Sequence, residues 1–159
     1  MSGKGKWIGV IVLGTVIAML FSAPGPLGGF WGMESGETDP AGGALAALIG
    51  AAIVEWIAFG IGLAWLAFGW PVVRRTDVPL ALPAWAAIGW GLVSWAPHTS
   101  FHQSVAEGNY GGLAAVEWAF HVTLVIGACI VAAFTWQVLR STTSGAGRTP
   151  SSPAAAAIS

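Results

Sequence analysis

Four long apolar runs, Trp7–Ala23, Gly43–Trp70, Leu80–Ala96 and Gly112–Leu139, leave this chain little freedom in how it folds. Crossing a hydrocarbon core of roughly 30 Å takes about 20 apolar residues as helix. Only helices and closed barrels satisfy their own backbone in that medium. The runs are therefore read as four membrane-crossing helices, the second and fourth long enough to tilt, the first and third short enough to need help from their flanks. A continuation of the third helix past Pro97 to residue 104 would supply that help. With 55% hydrophobic and 8% charged residues, the 159-residue chain lies far from a soluble domain, where charged residues make up about a quarter. The expectation is an all-α integral membrane four-helix bundle with short loops over residues 1–140. A disordered tail follows over 141–159, where Ser, Thr, Gly, Pro and Ala cannot bury enough apolar surface to order themselves.

Charge sets the expected orientation. Lys4 and Lys6 precede the first run, Arg74 and Arg75 separate the second from the third, and Arg140 and Arg148 follow the fourth. An even number of crossings puts all six on one side, which the positive-inside rule makes the cytoplasm. Glu34, Glu37, Asp39 and Glu107 then lie in outer loops that carry no basic residue. Trp7, Trp70 and Trp136 fall near the inner boundary and Trp31 and Trp95 near the outer one, as amphipathic rings prefer. The expected location is the cell membrane, multi-pass, with both termini cytoplasmic. Cleavage as a signal peptide after Ala23 would put Phe21 at the −3 position and Pro24 just past the cut, so the first run is read as an anchor.

Titratable groups inside the runs carry the functional signal, because an acid near the bilayer centre costs several kcal/mol and usually faces protein. Glu55 shares a helical stripe with Gly43, Ala47, Ala51 and Gly62, small residues that let helices approach closely. Glu117 and His121 share a face of the fourth run at i and i+4, as do His98 and His102 if the third helix survives Pro97. Proline disfavours that continuation by removing one backbone donor. Each pair has the spacing that offers two ligands to one ion, and imidazole with carboxylate suits Zn, Fe, Cu or Mn. His98, His102, Glu117, His121 and Glu55 are the candidate metal ligands. Haem ranks below a bare ion, since axial histidines on two helices at one depth are wanted and His121 has no deep partner. A purely structural role for the same groups stands beside these readings.

An echo links Val54-Glu55-Trp56 to Val116-Glu117-Trp118, with duplication and coincidence equally open in so Trp- and Ala-rich a chain. The lone Cys129 excludes a disulfide within one chain, and no basic patch invites nucleic acid. Without a G-x-S-x-G elbow or a P-loop, a stand-alone enzyme is not expected.

Three functions follow. The first is a small accessory subunit of a larger membrane complex, of a redox or respiratory kind, packed among lipid and other subunits or copies of itself. The second is a membrane metal-binding protein, an enzyme or a carrier, using the Glu and His ligands. The third is a proton-coupled transporter or channel in which Glu55 titrates.

Overall fold

The computed structural model describes residues 3–23, 25–28, 42–104 and 110–146, and among these it is helical with no strand. Helix α1 spans Gly3–Phe21, α2 Gly43–Phe68, α3 Trp70–Val73, α4 Ala81–Ser104, α5 Tyr110–Val116 and α6 Thr123–Ala146. A π-helical stretch, Glu117–Val122, joins α5 to α6. Three stretches are long and apolar enough to cross a membrane among the described residues: Gly3–Phe21, Ala46–Phe68 and Gly111–Thr143. The loop acids Glu34, Glu37, Asp39 and Glu107, with Trp31 and Arg148, lie outside the described residues.

The expected four-helix bundle is not what the chain builds. Five helices longer than a single turn are present among the described residues, together with the four-residue α3. Two local causes divide the runs. Gly69 and Pro71 stop α2 and restart the chain as α3, because proline cannot supply the next helical N–H. The π stretch then separates α5 from α6. Packing is also open: α1 lies on α2, α2 on α4 and α4 on α6, while α1 and α6 share no packed interface among the described residues. Four hydrophobic runs predict four helices but not that they close into a ring.

What sits inside is small and what sits outside is large. Ala18, Ala58, Ala64, Ala84 and Ala96 are buried, whereas Ile8, Leu13, Leu48, Ile49, Val125 and Ile126 are exposed. Water would drive the reverse distribution. Helices associating in lipid gain nothing from hiding large aliphatics and instead use small residues to bring backbones together. At the crossing of α1 and α2, a Cβ on Gly14 would stand 2.8 Å from the Gly60 Cα. Between α2 and α4, Trp65 and Trp85 each donate an indole N–H to the other's carbonyl, at 2.9 and 3.1 Å. This reciprocal pair lets two bulky rings lie in the interface with both donors satisfied.

Neighbouring helices run antiparallel. Trp7 of α1 meets Phe68 of α2, and Trp70 of α3 meets Trp85 of α4. Lys4, Lys6, Arg74, Arg75 and the end of α6 therefore gather at one end of the row. At the opposite end the Ala23 N–H donates to the Ser100 hydroxyl at 3.2 Å. Ser100 is 2% exposed and ties the exit of α1 to α4.

Candidate metal centre

Helix α4 continues unbroken through Pro97 to Ser104. That continuation places His98 and His102 one turn apart, on a helix rather than in a loop. The third histidine, His121, comes from the π stretch that leads into α6, the next helix of the row. The rings of His98 and His102 lie 4.5 Å apart, those of His98 and His121 4.7 Å, and those of His102 and His121 5.9 Å. One ligand nitrogen from each falls within 4.8 Å of the other two. Three neutral imidazoles at such separations can turn their lone pairs onto a single ion at ordinary metal–nitrogen distances of about 2.0–2.1 Å.

Two further observations bear on whether the cluster could hold an ion. The Nε2 atom of His98 is shielded from solvent and has no hydrogen-bond partner. Buried polar atoms nearly always find one, and an orphan at a would-be ligand position is what a bound ion would explain. Glu117 lies against the other two rings, with Oε1 3.2 Å from His102 Nε2 and Oε2 in contact with His121 Nδ1. The side chains of His102, Glu117 and His121 remain partly open, at 32%, 43% and 48% exposure, so an ion could reach them.

The π stretch is the local device that aims His121. Widening one turn of a helix inserts an extra residue and frees carbonyls from their usual partners, and such turns recur at functional sites. Here the Thr123 hydroxyl approaches the Ala119 and Phe120 carbonyls at 2.8 and 3.0 Å, and accepts the indole N–H of Trp90 from α4 at 2.9 Å. The widened turn is thereby fastened to the neighbouring helix. Phe120 stacks on His98 at 5.0 Å and on Trp90 at 6.1 Å, and leans on Phe101 at 6.0 Å. An aromatic wall thus holds the His98 ring flat while the other histidines close on it.

Glu55 is placed differently from the sequence expectation of one shared cluster. It is 8% exposed and accepts a hydrogen bond from Thr99 at 3.0 Å. Its depth is right, since Thr99 adjoins His98, but α4 stands between α2 and α6. Thr99 turns toward Glu55 while His98 and His102 turn toward the π stretch. The two Val-Glu-Trp segments accordingly occupy unlike settings: Glu55 sits in a regular helix, whereas Glu117 opens the π stretch and Trp118 beside it is 73% exposed.

Thr99, Thr123 and the stacking role of Phe120 had no sequence signal of their own. Each acts through a neighbour on another helix. No protein-family model, curated protein or solved structure matches this chain.

Proposed function

We propose that this chain is a membrane metal-binding protein that holds one ion through His98, His102 and His121. The observation that carries the reading is the convergence of three imidazoles from two helices, with the His98 nitrogen otherwise orphaned. It displaces the accessory-subunit reading from first place because it rests on named atoms. An imidazole-rich set suits Zn, Cu or Fe rather than Mg or Ca. Fewer than four protein nitrogens leave coordination positions open, as in catalytic rather than closed structural sites.

In the membrane we assign the basic end of the row to the cytoplasm by the positive-inside rule. Both termini then lie inside, the apolar first part of α4 crosses, and the metal centre faces the outer side. Elemental analysis of the full chain purified in detergent without added chelator should give about one transition-metal ion per chain. His121→Ala should retain less than a tenth of it. Equal, substoichiometric metal in the two proteins would refute the assignment.

One observation favours a neighbour as well. Helix α6 packs on α4 and otherwise presents Val125, Ile126 and Trp136 outward, beside the exposed Trp118 of the π stretch. Lipid or another membrane subunit covers that face. Mild solubilisation followed by native electrophoresis should show the chain migrating well above its 16.3 kDa plus detergent; a lone monomer would leave the face to lipid.

A further inference from the structure

Glu117 is placed to do something other than bind the ion. Its two oxygens are divided between two imidazoles: Oε1 lies by His102 Nε2 and Oε2 by His121 Nδ1. An ionised carboxylate only accepts hydrogen bonds, so each ring facing it must turn an N–H toward it. The nitrogens concerned differ between the two rings. A neutral imidazole has one N–H, and whichever nitrogen holds it leaves the other as the lone-pair donor.

Resting on the metal-binding reading, we infer that Glu117 is a positioning residue that locks His102 and His121 in opposite tautomers, presenting Nδ1 of His102 and Nε2 of His121 to the ion. His98 needs no such partner. Its ring is held by the stack on Phe120, and its Nε2 is the atom left without a partner. The arrangement matches a general habit of metal sites, in which a ligating histidine gives its second N–H to a carboxylate that fixes ring orientation and raises basicity. What is particular here is that one carboxylate serves two ligands. It can do so because the π stretch carries Glu117 and His121 on one face while α4 brings His102 to the same side.

The sequence pattern alone makes Glu117 a candidate ligand, and the two roles separate experimentally. The first readout is imidazole ¹⁵N NMR on the metal-free full chain in detergent, at a pH where all three histidines are neutral. Wild type should show His102 protonated at Nε2 and His121 at Nδ1, and Glu117→Gln should abolish the contrast. The glutamine carbonyl can accept from only one ring. Identical tautomers in wild type, or an unchanged contrast in Glu117→Gln, would overturn the inference.

Zinc titration against a chromophoric chelator is the second readout. Glu117→Gln should still bind one ion with affinity weakened about 10- to 100-fold, the usual cost of losing such a partner. Binding abolished altogether would make Glu117 a ligand, and binding unchanged would make it idle; either result overturns the positioning role. Opposed tautomers in a wild type that takes up no zinc would refute the metal reading instead, because the contrast is read without metal.

Discussion

His98→Ala is expected to lower zinc affinity about a thousandfold while leaving the helices in place. Apparent binding energies for structural zinc in zinc-finger peptides run to about 10–16 kcal/mol, which sets the upper scale for an open site. Spread over three imidazoles this is roughly 4 kcal/mol each, and every 1.4 kcal/mol is about tenfold. His98 is the most consequential of the three because its ring is fixed before the ion arrives. Phe120 stacks on it and its Nε2 has no competing partner. His102 and His121 must instead hold their orientation through a shared carboxylate. Competition titration with a chromophoric chelator measures the loss, and circular dichroism shows whether helix content is retained. A loss under tenfold with helix content unchanged would place the ion elsewhere.

The second large effect concerns the row itself and reverses sign along one helix. Gly60 of α2 faces α1, where an added Cβ would run into the Ile11 carbonyl oxygen and stand 2.6 Å from Thr15 Oγ1. The Thr15 hydroxyl already donates to that carbonyl at 2.8 Å, so neither atom can step aside cheaply. Gly60→Ala should therefore cost about 2 kcal/mol through forced separation of α1 from α2. Gly50, ten residues earlier in α2, has open space around the same position. There Gly→Ala should stabilise by about 0.5–1 kcal/mol, since alanine loses less backbone freedom in a helix. Unfolding by denaturing detergent at fixed lipid-to-detergent ratio compares the two variants. If both shift the midpoint the same way, the close approach at Gly60 does not exist.

Part of the candidate cluster is legible in the sequence. Spacing placed Glu117 with His121 and His98 with His102, because i and i+4 neighbours on a helix are a local property. The cost of burying acids singled out Glu55. The rest depended on how helices face each other. Pro97 disfavours the continuation of α4, yet one missing N–H in a helix packed on both sides does not stop it. Glu55 and the histidines share a depth, but α4 intervenes and turns Thr99 to one and His98 to the other. Sequence periodicity could not reveal the π stretch, since nothing in Glu117–Val122 breaks an α-helical pattern. It is stabilised by Thr123 and Trp90 from outside itself.

The amino-acid order by itself determined an all-helical chain with runs apolar enough for a membrane, and it set which titratable residues share a turn. Those are consequences of composition and of a period of 3.6 residues, which act within one segment. Tertiary structure decided that the helices form an open row rather than a bundle, that three histidines meet, and that Glu117 divides its oxygens between two of them. Such outcomes depend on the rotation of one helix against the next, which small-residue contacts and one widened turn control from outside each segment.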